Sequence, residues 1–218
     1  VTAEAGFKET ENFGRLEYSF SELVKKCGID MTECSLIEEN GRAHFLTKRF
    51  DRENGRKIHM QTLCGMAHYD FRLKNGHSYE QAFNVMRRLR LPYSQAQEMF
   101  RRIVFNVIVR NQDDHTKNIS FLMDSSGQWS LSPAYDMGSA YNPLGAWTAT
   151  HQMSINGKFD NITRADLLSL ANANNIKNAS EIIDQVCETT AGWPEVAKNC
   201  GVPQKMIDGI VPHMLLSI

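Results

Sequence analysis

The sequence of 218 residues contains no CxxC pair and no HExxH motif. Its five cysteines are odd in number, and its seven histidines are scattered along the chain. These features argue against a zinc ribbon, a disulfide framework and a transition-metal centre. We therefore expect the cysteines to be reduced thiols that fill the core of a cytoplasmic protein.

Long apolar runs are also missing. No run approaches the roughly 20 residues that a membrane-spanning helix needs, so we expect no membrane span. The formal net charge of −1 provides no general attraction to nucleic acid or to an anionic membrane. The first ten residues, VTAEAGFKET, have the pattern of neither a signal peptide nor a transit peptide. The apolar content of 42% is that of a globular protein with a buried core.

Apolar spacing, turn residues and capping boxes predict a mainly helical α+β fold with two hairpins. Asn40-Gly41 is the strongest hairpin signal, and Gly28 is the expected end of the first helix. The predicted elements, in order, are a helix over 13–27, a hairpin over 34–50, a loop at 53–57, a helix within 59–71, helices with capping boxes at Ser78 and Ser94, a hairpin around 124–127, an irregular stretch over 132–160, and helices that begin at Thr163, after Asn178 and at Pro203.

The stretch NQDDHTKNISF, residues 111–121, lies between the longest apolar helix and the second hairpin. Asp113 precedes Asn118 with the Asp-x-x-x-x-Asn spacing of a protein-kinase catalytic loop. The segment LSPAYDMGS follows the hairpin and supplies Asp136. Phosphoryl transfer requires a carboxylate that accepts the proton of the attacking hydroxyl, a role that suits Asp113. Magnesium prefers hard oxygen ligands, which Asn118 and Asp136 provide.

Each residue of this pattern also has a simpler interpretation. The Asp-x-x-x-x-Asn spacing recurs by chance, and an aspartate in a YDMG turn is usually a turn former. His115 taken alone is more often structural than catalytic. Asp114 can be a solvated or capping carboxylate. The combined order of helix, loop, hairpin and aspartate nevertheless favours a kinase.

With these motifs the sequence resembles the C-terminal lobe of the HipA-like serine/threonine kinases, the toxin kinases of bacterial toxin–antitoxin operons. The family pattern is roughly T/N-x-D-x-H-x-K-N, then a hairpin, then x-P-x-Y-D. It is matched here by Asp113, His115, Lys117, Asn118, Pro133, Tyr135 and Asp136. Upstream, LTKRFDR at 46–52 resembles the family's strand into the hinge between the lobes.

The resemblance implies an α+β fold related to the phosphatidylinositol 3/4-kinases. Residues 1–52 would then be a remnant of the N-lobe and the hinge, and residues 53–218 a mostly helical C-lobe. It implies that Asp113 is the proton acceptor and that Asn118 and Asp136 bind Mg²⁺. Lys48 stands where the best-known member has an acidic residue, and a backbone contact to adenine survives that exchange. The implied nucleotide site consists of Lys48, Arg49, Phe50, His115, Thr116, Lys117, Asn118, Tyr135 and Asp136.

The printed chain contains no G-x-x-x-x-G-K-[ST] and no G-x-G-x-x-G motif. Lys8 is in a polar context and does not resemble a strand lysine that pairs with phosphates. In the resembling family those parts lie further N-terminal, and this chain begins with Val1 rather than Met. We therefore expect it to be the C-terminal part of a longer kinase, inactive when isolated.

The leading hypothesis is an ATP- and Mg²⁺-dependent Ser/Thr protein kinase that acts on a cytosolic bacterial protein. Related kinases suggest an aminoacyl-tRNA synthetase as one such substrate. The alternative is a pseudokinase or interaction domain whose partner is a helix-turn-helix antitoxin. The presence of Asp113, Asn118 and Asp136 argues against a pseudokinase. A metal phosphohydrolase is a weaker third candidate, because it would need more clustered His and Asp ligands.

Overall fold

The computed structural model describes residues 12–218, so the prediction about Lys8 lies outside the described residues. Its elements confirm a mixed α+β fold. They are α1 Phe13–Lys26, β1 Cys34–Glu39, β2 Arg42–Thr47, β3 Arg52–Glu53, β4 Arg56–Lys57, β5 His59–Thr62, α2 Leu63–Ala67, β6 His77–Ser78, α3 Tyr79–Arg88, α4 Tyr93–Ile108, β7 Ser120–Met123, β8 Trp129–Leu131, β9 Met153–Ser154, α5 Arg164–Ala173, α6 Ala179–Ala191, α7 Trp193–Asn199, α8 Gln204–Ile210 and a 3-10 turn Val211–His213.

Helix α4 forms the centre of the core and positions the loop that follows it. Its apolar stripe is fully buried, as the helical spacing predicts. The stripe residues are Phe100, Ile103, Val104, Val107 and Ile108. Helix α6 packs against α4, and α7 packs against α1. The rigid base under the loop is therefore a bundle of helices rather than a sheet.

Helix α1 belongs to the same core, because Phe20 stacks on Trp193 of α7 with ring centroids 4.7 Å apart. The Trp193 indole also donates to the Ser19 hydroxyl at 3.3 Å. Full burial of an aromatic side chain contributes roughly 1.5–3 kcal/mol. The division of the chain at residue 52 stays a prediction, and this packing joins α1 to the C-terminal helices.

The predicted hairpin around Asn40 and Gly41 is confirmed as β1 and β2, paired from Cys34 with Thr47 to Glu39 with Arg42. Asn40 and Gly41 have positive φ values of 52° and 76°, as a two-residue turn of this hand requires. The hairpin packs on α1. It approaches so closely that a Cβ at Gly14 would collide with the Ala43 carbonyl.

The helix predicted within 59–71 is confirmed only over Leu63–Ala67 and is wrong over its first four and its last four residues. His59–Thr62 instead form β5, which pairs with β7 in a three-stranded sheet of order β5-β7-β8. The backbone of β5 forms hydrogen bonds with β7, which lies about 60 residues further along the chain, and a local helical spacing cannot reveal such a partner. The helix that remains, α2, begins where the Thr62 hydroxyl accepts from the Gly65 amide at 3.1 Å. The hairpin predicted around 124–127 is confirmed as β7 and β8.

The loop predicted at 53–57 is also wrong, because β3 and β4 form a very short hairpin there. Asn54 and Gly55 have φ values of 49° and 77°, so they repeat the turn signal of Asn40 and Gly41. The stretch 132–160 is irregular as predicted, apart from β9. That short strand pairs in parallel with β6 and so fixes the segment next to α3.

The capping box predicted at Ser78 is confirmed. The helix predicted to begin at Thr163 is also confirmed, and the structure adds a capping box there between Thr163 and Asp166. The capping box predicted at Ser94 is wrong. The N-cap of helix α4 is Pro92, two residues before Ser94, and the helix begins at Tyr93 with no side-chain cap. The fixed φ of proline suits the entry to a helix, so Ser94 falls inside the first turn. Helices α6 and α8 follow Asn178 and Pro203 as predicted, whereas α7 was not predicted.

Within residues 12–218, we find no helix with the length and apolar character required to traverse a bilayer.

Candidate active site

The loop 111–118 connects α4 to β7, and the burial of its side chains alternates along it. Gln112, Asp114 and Thr116 are buried and form what we call the inner face. The outer face consists of the solvent-accessible residues Asp113, His115, Lys117 and Asn118. The loop contains two tight turns, in which the His115 amide donates to the Asp113 carbonyl and the Asn118 amide donates to the His115 carbonyl, each at 2.9 Å. These turns give neighbouring side chains different environments.

Asp114 is the centre of the inner face and is 3% exposed. Its carboxylate accepts from the Tyr79 hydroxyl at 2.7 Å, from His151 Nδ1 at 2.8 Å and from the Gln152 amide at 2.7 Å. The interpretation of Asp114 as a solvated or capping carboxylate is therefore wrong. Burial, followed by the negative charge of Asp114, raises the pKa of Tyr79 well above its usual value, so Tyr79 stays a donor. Asp114 thus joins α3, the loop and the segment before β9.

The other two residues of the inner face are also bonded to the protein. The Thr116 hydroxyl donates to the Tyr69 carbonyl at 2.9 Å, and the Thr116 carbonyl accepts from the Cys64 amide at 3.0 Å. The Gln152 side-chain amide donates to the Gln112 carbonyl at 3.3 Å. Since the Thr116 side chain is 1% exposed, its predicted nucleotide contact stays a prediction, while its hydroxyl holds the loop in place.

Asp113, on the outer face, is held by its backbone. Its carbonyl accepts from the His115 amide at 2.9 Å and from the Asn118 side-chain amide at 2.9 Å. Partial burial raises the pKa of the Asp113 carboxyl, His115 lowers it, and the charges of Asp136 and Asp114 raise it further. A carboxylate with a raised pKa is a stronger base, as proton abstraction requires.

The structure brings the segment of Asp136 to the same loop. The Tyr135 hydroxyl donates to the Lys117 carbonyl at 2.5 Å. The Asp136 carbonyl accepts from the Asn111 side-chain amide at 3.2 Å. Asp136 has a left-handed backbone with φ of 56°, a conformation that costs a residue other than glycine roughly 1–2 kcal/mol. These contacts maintain that conformation and leave the Asp136 side chain exposed.

Asn118 and Asp136 provide the type of oxygen donor that Mg²⁺ prefers. The Asn118 amide nitrogen is used by the Asp113 carbonyl, so its oxygen remains available as a ligand. The described residues 12–218 contain no group of three or more His, Cys, Asp or Glu side chains arranged to hold a metal ion. Mg²⁺ typically takes one or two protein carboxylates and completes its shell with water and phosphate. The residues present therefore fit Mg²⁺ bound together with a nucleotide.

Glu17 of α1 is an acidic residue near Asp136 that sequence reasoning missed. Partial burial and then the charge of Asp136 raise the pKa of Glu17. Glu17 lies on α1 outside any sequence motif. Only the fold, which packs α1 beside the segment after β8, brings Glu17 near Asp136.

The residues predicted at the hinge have different environments. Phe50 lies against Tyr135, with ring centroids 5.6 Å apart. Arg49 instead makes a two-pronged ion pair with Asp51, at 2.8 and 2.7 Å, which holds the pKa of Asp51 at about 2. The Lys48 side chain is exposed, and its backbone amide donates to the Glu33 carbonyl at 2.9 Å. Phe50 is thus the hinge residue that the structure joins to the motif.

Phe71 is a second residue that sequence reasoning missed, and it supports the outer face. The Lys117 ammonium lies 3.5 Å from the centroid of the Phe71 ring, within cation–π range. The His115 ring meets the same aromatic edge-on at 5.5 Å. Phe71 lies in the part of 59–71 where the sequence predicted a helix, so its spacing gave no indication of this role.

With this geometry established, comparison with known proteins identifies the family. The HipA-like C-terminal domain matches residues 4–193, and the chain belongs to that family. A putative kinase of Haemophilus influenzae is 30% identical over 139 residues, covering 56% of this chain and 40% of the relative. The putative kinase Y4dM of Sinorhizobium fredii is 28% identical over 218 residues, covering 90% of this chain and 52% of the relative. The chain thus spans about half the length of the curated relatives it matches.

Solved structures support the same assignment at the level of the fold. HipA of Shewanella oneidensis, solved with HipB and its operator DNA, matches with a TM-score of 0.67 at 21% identity, over 85% of this chain and 48% of that chain. The proinflammatory kinase CtkA of Helicobacter pylori matches with a TM-score of 0.57 at 15% identity, over 96% of this chain and 86% of that chain. The resemblance to HipA-like kinases is therefore confirmed, and the roles of individual residues stay predictions.

Proposed function

We propose that the protein is an ATP- and Mg²⁺-dependent Ser/Thr protein kinase. The observation that carries this proposal is the outer face of the loop in a chain of the HipA-like family. There Asp113 has a raised pKa, and Asn118 has an oxygen available for a metal. The segment of Asp136 is bonded to the same loop.

In this mechanism Asp113 orients the attacking serine or threonine hydroxyl and accepts its proton. Asn118 and Asp136 hold Mg²⁺, which when bound neutralises charge on the phosphate oxygens. Lys117 is exposed beside them and adds a positive charge for the nucleotide phosphates. Preorganised charge of this kind supplies most of the catalysis in phosphoryl transfer.

Phe50 and Tyr135 are the proposed aromatic wall for the adenine, since their rings already meet. Because the Lys48 amide donates to Glu33, a backbone contact from Lys48 to adenine would use its carbonyl oxygen. His115 completes the site from the loop. Its Nδ1 is buried and has no hydrogen-bond partner among the residues that the structure describes.

The proposed substrate is a cytosolic bacterial protein such as an aminoacyl-tRNA synthetase, and the proposed partner is a helix-turn-helix antitoxin. Support for a partner comes from the Shewanella oneidensis HipA structure, which was solved with HipB and operator DNA. A second candidate function is a pseudokinase that binds such an antitoxin, and the same HipA–HipB structure supports it. Because the printed sequence contains no glycine-rich phosphate loop, we expect these 218 residues alone to transfer no measurable phosphate.

The test follows the γ-phosphate of labelled ATP in the longest natural form of the protein. A kinase transfers the label to serine or threonine of an added protein or of the kinase itself, and Asp113→Asn abolishes this transfer. A pseudokinase binds a nucleotide or an antitoxin and releases no label. A phosphohydrolase produces free phosphate in excess of phosphoprotein. Either of the last two results would refute the proposed activity.

A further inference from the structure

A continuous chain of hydrogen bonds runs through the protein interior and connects the inner face of the loop to the segment after β8. The Tyr79 hydroxyl donates to the Asp114 carboxylate at 2.7 Å and accepts from the Asn106 side-chain amide at 3.1 Å. The Asn106 side-chain oxygen accepts from the Asn111 side-chain amide at 3.0 Å. The same Asn111 group donates to the Asp136 carbonyl at 3.2 Å.

The Asp114 carboxylate fixes the direction of every bond in this chain. Because a carboxylate only accepts, the Tyr79 hydroxyl gives it its single proton and offers its oxygen to Asn106. The Asn106 nitrogen must then face Tyr79, which leaves the Asn106 oxygen for Asn111. Burial, followed by the charge of Asp114, raises the pKa of Tyr79, so this proton stays in place. The four side chains therefore form one set in which every donor meets an acceptor.

Asn106 is the middle member of the chain and lies on α4, the helix at the centre of the core. It is 8% exposed, and its neighbours Phe105 and Val107 are fully buried apolar residues. Burial of an amide costs free energy unless its polar atoms are bonded, and an apolar side chain at this position would avoid that cost. The polar residue is accounted for by the two groups that it joins.

Both ends of the chain lie at residues that the proposed mechanism uses. One end is Asp114, which directly follows the proposed base Asp113. The other end is the carbonyl of Asp136, a proposed Mg²⁺ ligand whose left-handed backbone has a φ of 56°. A bond to this carbonyl helps to hold a conformation that is costly by itself. We propose that Asn106 is a positioning residue, which fixes the placement of Asp136 relative to Asp113 through the hydrogen-bond chain.

This inference rests on the proposed kinase function and adds a residue outside the proposed site. Asn106 is buried and is not among the residues proposed to bind ATP or Mg²⁺. Its side chain bonds to Tyr79 and Asn111, so its loss should change the geometry of transfer more than the affinity for ATP. Misplacement of reacting groups by ~1 Å can cost ~10²-fold in rate.

The experiment compares Asn106→Leu with Val104→Ala in the longest natural form of the protein. Leucine has nearly the shape of asparagine without its polar atoms, so it breaks the chain and keeps the packing. Val104 is fully buried on the same helix and lies outside the chain, so Val104→Ala disturbs the core alone. Rates with labelled ATP are divided by the folded fraction from circular dichroism. We expect Asn106→Leu to lower kcat by about 10- to 100-fold with KM for ATP within about threefold, and Val104→Ala to keep both within about twofold.

Tyr79→Phe breaks the same chain at a second point and completes a double-mutant cycle. If one chain carries the effect, Tyr79→Phe combined with Asn106→Leu should lower kcat no more than the larger of the two single effects. Effects that multiply would show two independent contributions and overturn the proposal. A kcat for Asn106→Leu equal to that of Val104→Ala would overturn it as well.

The carbonyl-carbon NMR signal of Asp136 tests the positioning without any phosphoryl transfer, because its chemical shift reports the hydrogen bond that the oxygen accepts. We expect Asn106→Leu and Tyr79→Phe to change this signal and Val104→Ala to leave it at its wild-type value. If Asn106→Leu fails to fold, Tyr79→Phe decides, since its effect reaches Asp136 only along the chain. If the wild type transfers no label, the proposed function fails, and the carbonyl signal still decides the positioning. An Asp136 signal unchanged by breaks in the chain would overturn the proposal.

Discussion

Asp113 and Asp114 are neighbours with the same side chain, yet the structure gives them opposite environments. Asp114, on the inner face, is buried and accepts hydrogen bonds from Tyr79, His151 and Gln152. The Asp113 carboxylate, on the outer face, has no hydrogen bond to any residue in 12–218 and faces solvent. The inner face of the loop therefore bonds to the rest of the fold, whereas the outer face is accessible to a ligand. Variants that remove one carboxylate or the other test the distinction.

The largest effect is expected for Asp113→Asn in the longest natural form of the protein. Loss of a general base typically costs ~10²–10⁴ in rate. Because the Asp113 carboxylate makes no protein hydrogen bond, stability should be unchanged and ATP affinity should stay within a few-fold. Initial rates with labelled ATP and calorimetric ATP binding measure both quantities. Wild-type turnover in this variant would remove Asp113 from the mechanism.

The next largest effect is on stability and concerns the inner face. Asp114→Ala leaves three buried donors without their acceptor and should lower the free energy of unfolding by about 3 kcal/mol. Asp113→Ala is the matched control, with the same atoms removed one residue away, and should cost less than about 1 kcal/mol. Urea denaturation measures both variants. Equal losses would show that the two faces do not differ.

These expectations also show what the sequence could and could not predict. The spacing of Asp113 and Asn118 is local, so the sequence could indicate this part of the loop as a candidate site. Asp114 could not be assigned, because its partners Tyr79 and His151 lie 35 and 37 residues away and only the fold brings them close. The same limit applies to β5, whose partner strand β7 is distant in sequence. The capping box at Ser78 and the helix start at Thr163 were predicted correctly, because the contacts that define them are local.

A smaller difference in nucleotide affinity is expected between variants of Phe50 and Arg49. Phe50 contacts Tyr135 of the motif, whereas Arg49 is paired with Asp51. Phe50→Ala should weaken Mg-ATP binding about tenfold, because stacking of a base on an aromatic ring contributes ~1–3 kcal/mol. Arg49→Met should change Mg-ATP affinity by less than about twofold, because the Arg49 guanidinium is paired with Asp51. Calorimetric titration compares them. A larger effect at Arg49 would place the adenine elsewhere.

The smallest expected effect is a change in the titration of Asp51. Arg49→Met should raise the pKa of Asp51 from about 2 towards the usual value near ~3.9. Because the folded pKa is depressed, Asp51 stabilises the fold at higher pH, and this contribution is lost as the pH falls towards about 2. In Arg49→Met the stabilisation by ionised Asp51 should begin to decrease at a higher pH than in the wild type. Carboxyl-carbon NMR during an acid titration measures the change, and an unaltered pKa would show that Arg52 alone holds Asp51.

The claim that the outer face binds metal and nucleotide is tested most directly by Mn²⁺ with ATP. In the longest natural form of the protein, Mn²⁺ replaces Mg²⁺ and broadens the amide signals closest to it. We expect the strongest broadening at Asn118 and Asp136, and its loss at both positions in Asp136→Asn. Broadening centred on residues far from Asn118 and Asp136, or spread without a centre, would contradict the assignment of these two residues as the metal site.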